Sequence, residues 1–210
     1  MTPSPLTFEP ETHTYQWRGA VVPSVTQILK DLGLSPNYPP DRGWLEFGRQ
    51  VHRCCDLVLR NRLESCGPLL EPYVEAFRDV VRTYQIEPIN TEMQVYHFML
   101  GYAGTLDLHC KIFGKDEAII DYKTGIPPEC VGLQTAGYDM ALASALGQKY
   151  GIGRRRRFAL RLLTDETKTT GKAKLVEYTD SFDYAAFEGA VNVWKWKYGR
   201  GRNGGSNDRT

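Results

Sequence analysis

Apolar residues recur at every third or fourth position in two long stretches, the spacing that gives a helix one buried face. These two stretches predict helices at residues 44–63 and 69–85. Two later segments, residues 133–146 and 183–198, are also predicted as helices. A shorter helix is predicted after Ser24, whose hydroxyl can cap the first turn while Gln27 completes a capping box. The chain therefore has five predicted helices.

Short alternating runs bounded by turn residues predict strands between these helices. Residues 6 to 22 are predicted as a hairpin, and further strands are predicted at residues 91–100, 103–113, 117–124, 158–163 and 174–178. Strands interleaved with amphipathic helices predict an α/β fold with a mixed central sheet flanked by helices. We expect residues 1–198 to form a single domain. Residues 199–210 are polar and glycine-rich, which predicts a disordered tail.

Two neighbouring predicted strands carry charged side chains among apolar ones. Side chains alternate along a strand, so Leu106 and Leu108 are expected on one face and Asp107 on the other. The same period puts Asp121 and Lys123 together on one face of the next strand. A short glycine turn makes the two strands a plausible hairpin, so the three charged side chains are expected to converge.

Such a group of side chains favours a divalent metal. Asp107 and Asp121 would repel each other when partly buried unless a cation neutralised them. Oxygen ligands favour a hard ion, Mg²⁺ or Mn²⁺, which activates water and polarises a phosphoryl oxygen. Lys123 can orient the attacking group or stabilise negative charge on the phosphate. These three residues are therefore the predicted catalytic centre.

The residues GTLD at 104–107 and IIDYKTG at 119–125 resemble the motifs of the PD-(D/E)XK nuclease superfamily. On the next predicted helix, Gln134 and Tyr138 resemble the QxxxY motif of its RecB-like and phage exonuclease branch. The resemblance implies that these two side chains contact DNA. It also implies that the chain hydrolyses DNA phosphodiester bonds, as an exonuclease of recombination or repair. The similarity in sequence covers about residues 7 to 140.

The same branch carries a histidine on an early helix, in a stretch resembling GxxxH. Gly48 and His52 have this spacing, so the resemblance implies a metal shell of His52, Asp107, Asp121 and the backbone carbonyl of Tyr122. Glu92 resembles an upstream acidic residue of the superfamily and is a further candidate. Relatives with an iron–sulfur cluster have three cysteines near the C-terminus. This chain has none after Cys130, so no such cluster is expected.

The remaining polar residues are not assigned to the catalytic centre. Arg154, Arg155 and Arg156, in a run of four arginines, are candidates for contacts with DNA phosphates, but equally for the solvated start of a strand. His109 shares a predicted face with Asp107 and is expected beside the site. His13 is expected to be structural.

Composition narrows the class of protein. The formal net charge of +1 argues against a protein that coats nucleic acid by bulk charge. The N-terminus has no secretory pattern and no stretch is apolar enough to span a membrane, so the protein is expected to be cytoplasmic. Its five cysteines show no CxxC spacing, so neither a disulfide framework nor a zinc site is expected.

Three functions remain open from the sequence. The first is the exonuclease, with DNA as its partner and a single-strand-binding or annealing protein as an inferred second partner. The second is a structure-specific or restriction-type endonuclease, and the third is a catalytically inactive DNA-binding module of the same fold.

Overall fold

A computed structural model describes residues 4–36, 42–125, 127–151, 154–167 and 169–199. Five helices lie within these ranges: α1 (Val25–Asp31), α2 (Arg42–Leu59), α3 (Glu71–Thr83), α4 (Val131–Ala145) and α5 (Phe182–Tyr198). Three strands precede α1: β1 (Leu6–Glu9), β2 (Thr14–Trp17) and β3 (Ala20–Val22). Five follow: β4 (Glu87–His97), β5 (Tyr102–Ile112), β6 (Asp116–Thr124), β7 (Arg156–Thr164) and β8 (Gly171–Glu177). The predicted tail lies outside the described residues except for Gly199.

The central sheet has the order β4-β5-β6-β7-β8. Only β6 and β7 run parallel, joined by the helical crossover through α4, and every other neighbouring pair is antiparallel. The sheet is therefore mixed, and the predicted α/β fold with flanking helices is confirmed.

Helices cover both faces of this sheet. On one face α2 and α3 bury Val51 and Phe77 against Leu108, Ile120 and neighbouring apolar residues of the central strands. On the other face α1, α4 and α5 pack in a second cluster, whose members include Ile28, Met140, Phe187, Leu106 and Ile119. Because both faces of the middle strands are buried, β6 has an almost continuous apolar core, interrupted by Asp121.

The N-terminal residues form a separate three-stranded antiparallel sheet in place of the predicted simple hairpin. The third strand forms because Ala20–Val22 pair back onto β2 after the turn at Arg18 and Gly19. The buried residues Leu6 and Tyr15 pack with Tyr96 and Ala103 of the central sheet. This small sheet therefore packs against the end of β4 and the start of β5 and forms one side of the site described below.

The start of α1 follows the prediction. The Ser24 hydroxyl accepts a hydrogen bond from the Gln27 amide at 3.0 Å, which satisfies one of the free donors of the first turn. Helix α2 departs from the prediction in two ways. It runs from Arg42 to Leu59 and not over residues 44–63, and Trp44 is 63% exposed whereas Val51 and Cys55 are buried. Among the described residues, no helix is long and apolar enough to cross a membrane.

Candidate metal centre

The site begins where β5 and β6 part. Their ladder runs from Ile112 opposite Asp116 to Leu108 opposite Ile120, and the next residue, Asp107, has no backbone partner on β6. Instead its Oδ2 accepts a hydrogen bond from the Tyr122 amide at 2.6 Å. The Asp107 carboxylate thus closes the fork between the two strands and is fixed there.

The fork also changes which face the side chains take. Leu106 packs on the α4 and α5 side of the sheet, whereas Leu108 packs on the α2 and α3 side. The prediction that both leucines share a face is therefore wrong. Opposite this irregularity on β4, between Thr91 and Met93, Glu92 has a φ of +50°, a conformation that non-glycine residues rarely adopt. Strained residues of this kind cluster at functional sites.

Three potential ligands meet at this point. His52, Glu92 and Asp107 each offer one donor atom within 4.8 Å of the others, and His52 Nδ1 lies 3.3 Å from Asp107 Oδ1. Glu92, the further candidate from sequence, is therefore part of the cluster. Helix α2 approaches the end of β6 closely here, since a Cβ on Gly48 would lie 3.2 Å from Thr124 Oγ1. A larger residue one turn before His52 would therefore press on the Thr124 side chain.

Asp121 lies beside this cluster and has its own partners. Its Oδ2 contacts Lys123 Nζ at 2.7 Å in an ion pair, although the angles do not make it a hydrogen bond. Its Oδ1 accepts a hydrogen bond from Gln134 Nε2 at 3.2 Å. Gln134 Oε1 accepts from Lys123 Nζ at 3.1 Å, and Gln134 Nε2 also donates to the Tyr138 hydroxyl at 3.2 Å. Helix α4 therefore holds both Asp121 and Lys123 through one amide.

A glycine on β5 makes room for this contact. A Cβ on Gly104 would lie 2.7 Å from Tyr138 Cε1, which is inside the van der Waals distance. Because Gly104 has no Cβ, the Tyr138 ring can lie against β5 and its hydroxyl can reach Gln134. The glycine of the GTLD stretch and the tyrosine of the QxxxY stretch are therefore one packing unit.

The charges at the site are crowded rather than balanced. Burial and the Asp107 carboxylate raise the pKa of Glu92 to about 7. Burial opposes the charged form of His52, but Asp107 outweighs it and raises the pKa of His52 to about 9. Burial likewise opposes charge on Lys123, and Asp121 outweighs it, so the pKa of Lys123 lies above its ordinary value. The ammonium group is therefore charged at neutral pH.

The donor set fits a divalent metal. An imidazole nitrogen and carboxylate oxygens suit Mn²⁺ or Mg²⁺, and a cation would relieve the repulsion that raises the pKa of Glu92. Asp121, whose Oδ2 contacts Lys123 Nζ, lies beside this donor set and offers a further carboxylate. The carbonyl of Tyr122 as a ligand stays a prediction.

These groups open onto a cavity of about 490 Å³ between the N-terminal sheet and α2. Sequence reasoning missed several of its lining residues, among them Phe8, His13, Tyr15, Arg49 and Arg53. Arg49 had a recognisable signal, since it lies one helical turn before both His52 and Arg53 and so shares a face of α2 with each of them. His13, expected to be structural, lines the cavity.

The arginine run lies elsewhere. Arg155 is buried and pairs with Glu117 at 2.7 Å and Asp139 at 3.1 Å, while Arg156 pairs with Glu177 at 2.7 Å. With Arg154 these residues line a different cavity, at the start of β6, whereas Lys123 is near its end. The structure does not bring them to the site, and Arg155 is too buried to contact DNA phosphates.

His109 is also absent from the site cavity. Its Nε2 lies 2.7 Å from Glu117 Oε1 and its Nδ1 lies 3.2 Å from Asn90 Nδ2, within the buried polar chain that includes Arg155. The expectation that it neighbours the site through Asp107 is therefore wrong, because its ring is held towards the start of β6.

The chain matches no protein-family model and no curated protein. Among solved structures it is similar to LHK-Exo in complex with dAMP, with 12% identity, a TM-score of 0.39, and 86% of this chain and 89% of that chain covered. It is also similar to an alkaline exonuclease (LHK-Exo) from Laribacter hongkongensis, with 9% identity, a TM-score of 0.41, and 85% and 88% covered. Both likenesses are weak, and the fold described above stands on the strand order and packing of this chain.

Proposed function

We propose that the chain is a metal-dependent nuclease that hydrolyses phosphodiester bonds in DNA, acting as an exonuclease in recombination or repair. The observation that carries the proposal is the convergence of His52, Glu92 and Asp107 with the pair Asp121 and Lys123 on one cavity. Carboxylates that can hold a metal ion, beside a fixed ammonium group, are one arrangement that catalyses hydrolysis of a phosphate ester.

His52, Glu92, Asp107 and Asp121 would hold Mg²⁺ or Mn²⁺, with the Tyr122 carbonyl as a further ligand. The ion, when bound, supplies Lewis-acid polarisation of the phosphate and activation of water. Asp107 is oriented for this role by the Tyr122 amide, and its second oxygen faces His52. The strand fork thus keeps the carboxylate from rotating away.

Lys123 acts on the phosphate. Its Nζ is held between Asp121 Oδ2 and Gln134 Oε1, and it stays protonated because Asp121 raises its pKa against the effect of burial. A fixed ammonium group at this place stabilises the negative charge that develops on the phosphate. Because the group is positioned beforehand, little reorganisation is needed during the reaction.

Gln134 and Tyr138 are positioning residues in this proposal. Both are buried, and their polar atoms are engaged with Asp121, Lys123 and each other. Both also line the cavity, so the predicted contact with DNA stays a prediction, and the Gln134 amide in addition fixes the geometry of the two charged side chains.

Substrates with different ends test the proposal. End-labelled linear duplex, linear single strands and covalently closed circular DNA are incubated with the protein in Mg²⁺, in Mn²⁺ and in excess EDTA. We expect digestion of linear DNA in metal only, with the closed circle intact, because an exonuclease needs an end. Cleavage of the closed circle would instead identify an endonuclease. Binding without any cleavage would identify an inactive module, and either result contradicts the proposal.

A further inference from the structure

Three aromatic rings of the N-terminal sheet line the cavity at the candidate metal centre. Phe8 and Tyr15 are opposite each other on β1 and β2, with ring centroids 4.5 Å apart. The His13 ring stands edge-on to Phe8 at 5.1 Å and to Tyr15 at 5.8 Å. We call Phe8, His13 and Tyr15 the aromatic wall.

The aromatic wall is fixed to the central sheet. The Tyr15 hydroxyl lies 2.7 Å from Thr105 Oγ1, two residues before Asp107, and the Tyr15 ring is buried. His13 has a φ of +50° in the turn between β1 and β2, while its side chain remains exposed. The hairpin thus holds an exposed ring in a strained turn at the entrance of the cavity.

Two guanidinium groups form the opposite wall. Arg49 and Arg53 are one helical turn apart on α2, on either side of His52. Arg49 is 70% exposed and has only a 3.5 Å contact with Glu46. Among the residues that the structure describes, Arg53 makes no ion pair. Both cations are therefore available to a ligand, unlike the paired arginines at the start of β6.

Proteins bind single-stranded nucleic acid with aromatic rings, on which the bases stack, and with cationic groups, which contact the phosphates. The cavity has both components. We propose that the aromatic wall and the Arg49–Arg53 pair form a subsite for one unpaired nucleotide of the substrate strand, next to the bond to be cut. Its base stacks on one of the rings of Phe8 and His13 and meets the edge of the other, because the two rings are 89° apart. Its phosphates contact the arginines. This inference rests on the proposed nuclease function and adds to it a requirement for an unpaired base.

The size of the cavity agrees with this ligand. Its volume of about 490 Å³ is in the range of about 300 to 1,000 Å³ of pockets for small ligands, and duplex DNA offers no free base face to a ring. Partial burial and the nearby Arg49 lower the pKa of His13, so that its ring is neutral at neutral pH. A neutral ring stacks on a base without adding to the charge of the opposite wall.

Binding without turnover tests the subsite. Fluorescence anisotropy is measured with a fluorescein-labelled single strand of about 12 nucleotides and a blunt duplex of the same sequence, in Ca²⁺, with intact DNA verified afterwards. We expect Phe8→Leu and His13→Gly each to weaken single-strand binding by about 5- to 100-fold and to change duplex binding little. Glycine at position 13 keeps the positive φ available.

The arginines have a separate readout. Arg49→Ala and Arg53→Ala should each reduce the slope of log affinity against log salt concentration by about 0.7, the value for one phosphate contact on a single strand. The matched control is Lys115→Ala, which removes one exposed charge from the turn before β6, about 25 Å along the strand from Lys123. It should leave both slope and affinity unchanged.

An abasic strand removes the bases and leaves the protein intact. The wild type should bind it more weakly than the normal strand, and Phe8→Leu should cause no further loss on it. If the wild type binds single strands and the wall variants bind them equally well, the subsite is wrong although the nuclease proposal stands. An equal loss on normal and abasic strands also overturns the subsite. A wild type that neither binds nor cleaves DNA overturns both proposals.

Discussion

The two ends of β6 both bury charge, but they balance it differently. At its start, every carboxylate of the polar chain lies within 3.3 Å of a guanidinium group: Glu117, Asp139, Asp116, Glu177 and Asp183 are paired with Arg155, Arg156 or Arg157. At its end, Asp107 has His52 and Asp121 has Lys123, while Glu92 has no ion pair among the described residues.

The difference distinguishes structural charge from functional charge. A buried ion pair with complete partners holds elements together, and here it joins β6 and β7 to α4 and α5. A carboxylate crowded by other carboxylates, such as Glu92, is stabilised when a cation binds, which makes it a candidate ligand. Four predictions test this contrast, from the largest expected effect to the smallest.

Arg155→Ala removes the cation that pairs with two carboxylates at the start of β6, which we call the balanced end. Removing this guanidinium leaves Glu117 and the buried Asp139 without their cation, so the free energy of unfolding should fall by about 3–5 kcal/mol. Urea unfolding measures this change. The control is Arg156→Ala, a half-exposed arginine, which should cost less than about 1 kcal/mol. An equal fall in the free energy of unfolding for the two variants would show that the buried Arg155 pairs do not stabilise the fold more than an exposed pair.

Lys123→Ala removes the cation that pairs with Asp121 at the end of β6, which we call the unbalanced end. We expect the rate of DNA hydrolysis to fall by about 10²- to 10³-fold, as for the loss of one preorganised electrostatic group, with the protein still folded. Initial rates on end-labelled linear DNA measure this effect. Lys115→Ala, at the other end of the strand, should retain the wild-type rate. Near wild-type turnover by Lys123→Ala would remove the lysine from the mechanism.

Gly104→Ala tests the packing that links β5 to α4. The new methyl group would meet the Tyr138 ring at 2.7 Å, so we expect a loss of about 1–3 kcal/mol in the free energy of unfolding. Hydrolysis should slow as well, because Gln134 loses its partner. Gly189→Ala on the exposed side of α5 meets no atom within 4 Å and should be neutral or stabilising. A neutral Gly104→Ala would contradict the proposed packing unit.

Replacing glutamate by glutamine should change the melting temperature in opposite directions at the two ends of β6. Burial and Asp107 raise the pKa of Glu92 to about 7, so its charge destabilises the fold above that pH. At pH 8 without metal, Glu92→Gln should therefore raise the melting temperature by about 2 °C. Burial also opposes the charge of Glu117, but hydrogen bonds from His109 and Arg155 outweigh it and lower its pKa. Glu117→Gln should therefore lower the melting temperature, and a change of the same sign in both variants contradicts the comparison.

Local patterns in the sequence predicted most of the architecture. The spacing of apolar residues predicted α2 and α3, and Ser24 with Gln27 predicted where α1 begins. The two later helices were also predicted from the sequence. Alternation predicted the strands of the central sheet. These features depend on neighbouring residues, so a single sequence contains them.

Other features depend on distant parts of the chain. The change of face between Leu106 and Leu108 arises because β6 leaves β5 at Asp107, and no local period encodes that fork. The burial of Arg155 depends on Asp139 from α4 and Glu117 from β6. A run of arginines was therefore ambiguous until the elements around it were assembled.

Direct binding of Mn²⁺ tests the central claim, that the unbalanced end of β6 is a divalent-metal site. Isothermal titration of the metal-free protein should show Mn²⁺ binding by the wild type and by Asp116→Asn, whose carboxylate belongs to the balanced end. Asp107→Asn should lose this binding, because it removes the carboxylate shared by the fork and by the cluster of His52 and Glu92. Unchanged Mn²⁺ binding by Asp107→Asn, or none by the wild type, would contradict the account.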